Sequence, residues 1–135
     1  MHLGTRSLTL TIDGVPRTAD VSDCRIVSGP MPTERRLLGG PFREYRLQCT
    51  AAQDPSVDSL WDLVWSREGQ RIDIDLRPAG GDLHPTDQQP WFVGTVTITE
   101  PDGDLLGGSA DPSPLNRFTF GIDWAFTDKP ERLVQ

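Results

Sequence analysis

Strict alternation of apolar and polar residues recurs along this chain and is the feature that most limits its fold. In "RIDIDLRP", residues 71–78, Ile72, Ile74 and Leu76 fall on one side of an extended chain, and charged residues fall on the other. The same period of two runs through "SLTLTIDG", "FREYRLQCTA", "WFVGTVTITE" and "RFTFGIDWAFT". Alternation of this kind is typical of strands with one buried face. The sequence therefore predicts a mainly β protein.

One segment departs from this period and predicts an amphipathic helix. Its five apolar residues recur at i, i+3, i+4, i+7 and i+8, the spacing of one helix face. These residues are Val57, Leu60, Trp61, Val64 and Trp65. Asp54 or Ser56 can cap the amino end, and Gly69 stands where a helix usually ends. We therefore expect a helix over residues 56–68 whose five apolar side chains pack into the core.

The order of these segments is β-β-β-α-β-β-β, which predicts an antiparallel β-sandwich or barrel with one flanking helix. The length of 135 residues fits a single domain, 1–135. Three stretches rich in proline and glycine, 28–41, 78–90 and 101–115, are predicted as long loops between strands. Residues 127–135 are predicted to form a carboxy-terminal arm that either frays or packs on a neighbour.

The first turn of the chain carries a signal of its own. Asp13-Gly14 follows the alternating Leu8, Leu10 and Ile12, and this dipeptide readily supplies the positive φ angles of a tight hairpin turn. The sequence therefore predicts that a β-hairpin opens the fold.

Composition argues against several classes of protein. Lys and Arg number 13 and Asp and Glu number 20, so the net charge is −7 and the pI is near 4.6. Such a chain should repel nucleic acid, because binding to phosphates needs clustered cations. No window approaches the roughly 20 apolar residues of a transmembrane helix, so no membrane partner is expected. The amino-terminal "MHLGTRSLTLTIDG" lacks a signal-peptide pattern and predicts synthesis in a cytoplasm.

The two cysteines, Cys24 and Cys49, are far apart in sequence and outside any Cys-x-x-Cys motif. Two reduced core thiols are the favoured interpretation in a cytosolic product, and a disulfide is the alternative. Both residues fall in strand-like stretches. Structural thiols are therefore expected.

The residue types that catalysis or metal binding needs do not converge on one motif. His2 and His84 alone offer little for a metal cluster or a Ser-His-Asp arrangement. Asp102 and Asp104 have the spacing of a calcium loop, but Leu106 occupies the fifth ligand position. The paired glycines lack the surroundings of a phosphate-binding loop. We therefore expect no catalytic residue, no metal and no cofactor.

The order of the motifs is more specific than any motif alone. The run "SLWDLVWSREGQRIDIDLRPAG" is followed by "PWFVGTVTITEPDGDLLGGSAD" and then by "FTFGIDWAFTDKPERL". Together with the amino-terminal "RSLTLTIDGVPRTADVSDCRIVSG", these runs resemble the major tail tube proteins of long-tailed phages of actinobacterial hosts. The resemblance covers nearly the whole chain and includes the SLWD helix, the Phe-x-Gly-x-Val strand and the PDGD turn.

The resemblance implies a phage tail-tube β-sandwich with one flanking helix and no catalytic residues. Members of that family form hexameric rings, which stack into the hollow tube through which the genome leaves the capsid. The chain would then be a virion protein that binds copies of itself and also the tail terminator, tape measure and distal tail proteins. DNA would pass through the tube without specific binding.

The resemblance also implies contacts between successive rings. The loop from Ser28 to Pro41 is the first candidate for this contact, followed by residues 78–90 and the carboxy-terminal arm. Its candidate contact residues are Pro30, Arg35, Arg36, Leu37 and Leu38. In a monomer, the arginine pair would simply be solvated.

A passage for DNA should present fixed negative charge and small polar groups, so that phosphates find no cation to bind. The polar faces of two predicted strands carry such groups. The candidate lumen-facing residues are Asp73, Asp75, Thr95, Thr97 and Thr99. The alternative is a solvated outer face, because the sequence cannot say which sheet lines the bore.

Two further functions remain open at this stage. One is a monomeric β-sandwich binding or adhesion module, in which Trp91 and the loops would contact a sugar or a protein. The other is a different ring-forming tail component, such as a terminator or a distal tail protein. An enzyme ranks last, because no set of polar groups converges.

Overall fold

The computed structural model describes residues 8–31, 43–78, 90–108 and 118–134. Within these ranges the chain forms eight strands and one α-helix. The strands are β1 (Thr9–Ile12), β2 (Val15–Pro16), β3 (Val21–Pro30), β4 (Arg43–Ala52), β5 (Arg71–Arg77), β6 (Trp91–Thr97), β7 (Thr119–Ala125) and β8 (Glu131–Leu133). The helices are α1 (Leu60–Arg67) and a single 3-10 turn (Thr18–Asp20). The prediction of a mainly β fold with one helix is confirmed.

Two antiparallel sheets build the described part of the chain. The five-stranded sheet has the order β2-β1-β5-β6-β8, and the three-stranded sheet has the order β3-β4-β7. In the larger sheet Leu10 lies opposite Leu76, and Ile72 lies opposite Val96. These apolar pairs share one face, so each sheet has an apolar side and a polar side.

The apolar sides of the two sheets and one side of α1 share a single core. Its largest fully buried side chains are Trp124, Leu10, Ile12, Leu47, Leu60, Ile98, Ile122, Val64 and Val96. The indole N–H of Trp124 donates to the carbonyl of Thr99 over 3.1 Å, so its polar atom is satisfied. Burial of each such side chain contributes about 1.5 to 3 kcal/mol, so this core is the main source of stability.

The predicted hairpin turn is confirmed. Asp13 and Gly14 have φ angles of 52° and 76°, and they connect Ile12 to its strand partner Val15. Two successive positive φ angles define the turn whose twist matches that of the flanking strands.

The helix is shorter than predicted, because the chain takes a left-handed conformation just before it. Asp58 has a φ of 66°, which breaks the helical path. Ser59 then caps the helix, and its hydroxyl accepts from the N–H of Asp62 over 3.0 Å. Asp54 and Ser56, the predicted caps, hydrogen-bond each other in a separate turn instead.

Two of the five predicted core positions on this segment are wrong. Val57 precedes the helix and is 82% exposed, and Trp65 is 59% exposed. The ring of Trp65 stacks on that of Trp61, with centroids 5.3 Å apart. Leu60, Trp61 and Val64 are buried as predicted.

Two predicted irregular segments contain strand structure. Ser28, Gly29 and Pro30 are the last residues of β3 rather than the start of a loop, because β4 pairs with them. Glu131–Leu133 forms β8 on the edge of the larger sheet, so this part of the predicted arm packs on its own chain. The proposed ring-contact residues Arg35, Arg36, Leu37 and Leu38 lie outside the described residues, as does most of loop 78–90. Strand β6 ends at Thr97, three residues earlier than the predicted strand, and residues 98–108 contain no strand. Residues 109–115 of the predicted loop 101–115 lie outside the described residues.

The side of the sandwich at which β6 meets β7 is closed. Phe126 bridges to Val96 of the larger sheet and donates its N–H to the carbonyl of Tyr45 in the smaller sheet. The N–H of Thr127 donates to the carbonyl of Thr95 over 2.9 Å. Gly94 leaves room for the ring of Phe126, since a Cβ there would lie 2.8 Å from two ring carbons. These contacts hold the two sheets together along this side.

Candidate functional site

Four of the five predicted lumen residues share one surface. We call it the Asp73 face, formed by the outward side chains of β5 and β6: Asp73, Asp75, Arg77, Thr95 and Thr97. Asp73 lies directly opposite Thr95, whose hydroxyl donates to its carboxylate over 2.8 Å. Thr97 lies opposite Arg71 on the same face. The strand register therefore brings together side chains that the sequence placed on two separate segments.

Thr99 lies elsewhere. It follows the end of β6, and its hydroxyl donates to the backbone carbonyl of Asp123 over 3.4 Å. Asp123 belongs to the smaller sheet. Thr99 is thus separated from the Asp73 face, because the chain leaves the larger sheet before it.

The charge of Asp75 is neutralised by Arg77. The guanidinium donates to both carboxylate oxygens over 3.0 to 3.3 Å, and both side chains are about four-fifths buried. The same guanidinium stacks over the ring of Trp91, 3.7 Å from the centroid. Asp73 is therefore the more exposed of the two predicted carboxylates. The spacing of Asp75 and Arg77 on one strand face was visible in the sequence, but the stacking on Trp91 was not.

The Asp73 face forms a shallow groove of about 690 Å³. The ionisable side chains along it are Asp73, Asp75, Asp128, Glu131, Arg77 and Lys129. Within the groove four carboxylates face two cations, and Arg71 is a third cation on the same face, opposite Thr97. The groove is acidic but partly compensated.

A second acidic surface lies on the smaller sheet and was missed by sequence reasoning. We call it the Asp123 face, a groove of about 620 Å³ beside β4 and β7. Its ionisable side chains are Asp23, Arg25, Arg46, Glu100, Asp102, Asp104 and Asp123. Five carboxylates face two arginines, so the negative surplus is larger here. Its charged residues come from four separate segments of the sequence, and only the fold brings them together.

Ion pairs organise the Asp123 face. Arg46 donates to the carboxylates of Asp123 and Glu44, and its hydrogen bond to Asp123 is the main reason that its pKa is raised. At one corner of this face, a hydrogen bond with Glu68 raises the pKa of Glu100. Both residues are exposed, so solvent screens their interaction.

The outer edge of β3 is a third candidate surface. Among the described residues, β3 pairs only with β4. Two sets of contacts show in which direction the backbone groups of β4 point. The carbonyl of Tyr45 accepts from the N–H of Phe126, on the side of β4 away from β3, whereas the N–H and carbonyl of Thr50 bond to side chains of β3. Because antiparallel strands alternate the direction of these groups, Cys24, Ile26 and Ser28 point their backbone N–H and C=O groups away from β4. We call these outward groups the β3 edge.

The β3 edge is flanked by features that limit its length. The register of β3 against β4 shifts between Val21 and Asp23, and Pro30 ends the strand. Bulges and prolines are common where a sheet edge must not pair further. A central window from Cys24 to Ser28 is left with regular strand geometry and, in the described part of the chain, no second strand on its outer side.

An apolar cleft of about 290 Å³ opens at the end of the sandwich where β4 begins. Its lining is almost entirely apolar and consists of Ile26, Tyr45, Leu76, Pro78, Phe92, Lys129 and Pro130. An apolar cleft of this size can accept one or two side chains of a protein partner.

Metal binding and membrane insertion find no support in the described residues. No group of three His, Cys, Asp or Glu side chains within the four described ranges is arranged to hold a metal ion. None of the helical structure described there is long and apolar enough to cross a membrane. The sequence matches no protein-family model, and its comparison with curated proteins and with solved structures gave no match.

Proposed function

We propose that this chain is a structural virion protein that self-assembles into stacked hexameric rings, which form a hollow tail tube for phage DNA. The observation that supports assembly is the β3 edge, a regular strand edge without a strand partner among the described residues. Exposed edges of this kind are templates for pairing with another chain. The hexameric symmetry and the tail location come from the motif resemblance.

The geometry of a ring constrains how the β3 edge is used. If two copies paired the same edge with each other, a closed two-fold dimer would result. A ring instead requires a head-to-tail contact, in which the β3 edge of one copy meets a different surface of the next. The five residues from Cys24 to Ser28 offer outward N–H and C=O groups at alternate positions for that contact.

Assembly is tested by electron microscopy of the purified chain at rising concentration. We expect fibres of uniform diameter with a central channel. Ser28→Pro should abolish them, because it removes an outward N–H of the β3 edge without removing a bond to β4. Ser28→Ala is the matched control: it also loses the contact between the Ser28 hydroxyl and Arg43, but keeps the N–H. Tubes formed equally well by both variants would exclude the β3 edge as an interface.

The electrostatic part of the proposal concerns the wall of the bore. Fixed carboxylates repel phosphates and let DNA slide without releasing counterions. The Asp73 face offers a carboxylate flanked by threonines, and the Asp123 face offers a larger negative surplus. Because Arg77 neutralises Asp75, we assign the predicted role in the lumen chiefly to Asp73.

Charge reversal distinguishes the two faces. Asp73→Lys should leave tubes assembled but impair genome ejection if the Asp73 face lines the bore. Asp102→Lys, on the Asp123 face, is the control with the same change of charge. Impaired ejection in Asp102→Lys alone would assign the bore to the Asp123 face, and normal infectivity of both variants would remove both carboxylates from the lumen.

The apolar cleft favours a second candidate function, a monomeric module that binds protein. Tyr45 and Phe92 line this cleft, whereas Trp91, the predicted contact residue, is covered by Arg77. Electron microscopy of the purified chain at rising concentration also distinguishes these two functions. A chain that stays monomeric at every concentration and salt tried would favour the module, and a chain that stops at a single ring would indicate a terminator or distal tail component.

A further inference from the structure

Cys24 and Cys49 lie directly opposite each other on β3 and β4. The S–H of Cys49 donates to the Sγ of Cys24, and the two sulfur atoms are 3.0 Å apart. Both are free thiols, in agreement with the favoured interpretation of the sequence. Their contact was not predicted, because it depends on the strand register.

The backbone around this pair suits a covalent bond between the two sulfurs. Since the backbone groups of Cys24 point away from β4, the pair occupies a position without mutual backbone hydrogen bonds. The Cα atoms of such pairs are about 4.5 Å apart, which lies within the range that a disulfide spans. No movement of either strand is needed to bring the sulfurs together.

The two thiols differ in access. Cys24 is half-buried, and an open cleft of about 340 Å³ lined by Leu8, Thr18 and Val21 reaches it. Cys49 is 5% exposed. Its hydrogen bond with Cys24, together with burial, raises the pKa of the Cys49 thiol. A reagent from solution therefore meets the sulfur of Cys24 first.

We propose that Cys24 and Cys49 form a site of reversible oxidation, at which a low-molecular-weight disulfide converts the two thiols into one cross-strand disulfide. The Cys24 thiolate attacks the reagent, forms a mixed disulfide and releases one small thiol. Cys49 then attacks the sulfur of Cys24, which releases the second small thiol. Two protein thiols and one small disulfide thus give one protein disulfide and two small thiols, so electrons and protons balance.

The second step is favoured by the geometry that the first step leaves. The hydrogen bond to the Cys24 thiol is the largest cause of the raised pKa of Cys49. In the mixed disulfide the sulfur of Cys24 becomes the electrophile and stays beside the sulfur of Cys49, so the second attack is intramolecular. The internal disulfide then fastens β3 to β4, the only described strand that pairs with it. This inference stands on the fold alone and does not depend on tube assembly.

The test uses the full chain and oxidised glutathione as the reagent. We expect both thiols to disappear from a thiol-reagent assay, the mass to fall by two hydrogens without a covalent dimer, and dithiothreitol to restore both thiols. Retention of both thiols, under conditions that oxidise a dithiol reference peptide, would overturn the proposal. A stable glutathione adduct on Cys24 in the unmutated chain would overturn it as well.

Single variants separate the two steps. Cys49→Ala should accumulate the mixed disulfide on Cys24, because the resolving thiol is absent. Cys24→Ser should react at least tenfold more slowly with the reagent, because only the buried thiol remains. Equal reactivity of the two variants would contradict the assigned order. The melting temperature of the unmutated chain should rise on oxidation, whereas that of the double variant Cys24→Ser/Cys49→Ala should not change.

Discussion

The two long sides of the sandwich differ in how their backbone groups are satisfied. On the closed side, the backbone of Phe126 connects both sheets, and the N–H of Thr127 donates to the carbonyl of Thr95. On the open side, β3 bonds to β4 alone within the described ranges, and its outer groups face away. One fold thus carries a side completed by its own chain and a side that a second chain can complete. We infer that closure, rather than strand propensity, decides which side is available for assembly.

Hydrogen exchange should reveal the largest difference between the two sides. The amide of Phe126 is bonded to Tyr45 inside the closed side, whereas the amide of Ile26 points out of the open edge. In the unassembled chain we expect Ile26 to exchange at least about a hundredfold faster, a difference of roughly 2.7 kcal/mol in opening free energy. In assembled tubes the Ile26 amide should become protected. If the Ile26 amide exchanged as slowly as the Phe126 amide in the unassembled chain, the two sides would not differ. If its exchange were the same in assembled tubes, the β3 edge would not be an interface.

A pair of glycine substitutions tests packing on the two sides. Gly94→Ala places a methyl group 2.8 Å from the ring of Phe126, so the ring or the strand must shift. We expect the free energy of unfolding to fall by about 1 to 3 kcal/mol, as measured by denaturant titration. Gly29→Ala on β3 is the matched control, since nothing lies within 4 Å of its added Cβ. A loss of stability in the control equal to that in Gly94→Ala would show that the closed side is not specially packed.

The smallest expected effect concerns Glu100, which follows β6 near the closed side. Its pKa is raised chiefly by the hydrogen bond with Glu68, so its contribution to stability is present at low pH and is lost as pH rises through the folded-state pKa. Glu100→Gln mimics the protonated form, so its melting temperature at pH 7 should be slightly higher. The variant should also gain less stability than the parent when pH is lowered through the folded-state pKa of Glu100. Identical pH profiles would mean that the two carboxyl groups do not interact in solution.

Local pattern was sufficient to predict most strands but not their partners. Ile72, Ile74 and Leu76 alternate without interruption and are buried as predicted. Ser28-Gly29-Pro30 has the composition of a loop yet belongs to β3, because pairing with β4 outweighs residue preference. Three-residue β8 is too short to show a period. Pairing of this kind depends on residues distant in sequence, which a local pattern cannot contain.

The same distinction applies to the helix and to the candidate surfaces. The helical spacing correctly placed Leu60 and Val64 in the core, but it could not reveal that Asp58 would interrupt the first turn and leave Val57 exposed. The polarity of Asp73 was readable from alternation, whereas its contact with Thr95 follows from register. The contact of the two cysteines and the larger negative surplus of the Asp123 face likewise depend on register.

The order of strands in the smaller sheet has a consequence for folding kinetics. β3 and β4 are neighbours in sequence, but β4 meets β7 only through pairs such as Arg46 with Ala125. Bringing together two residues that are distant in sequence costs loop-closure entropy before their contacts can form. Topologies rich in such pairs fold on the order of milliseconds to seconds. If the β3–β4 ribbon forms before β7 pairs with it, both of its edges are exposed, and premature association then competes with folding.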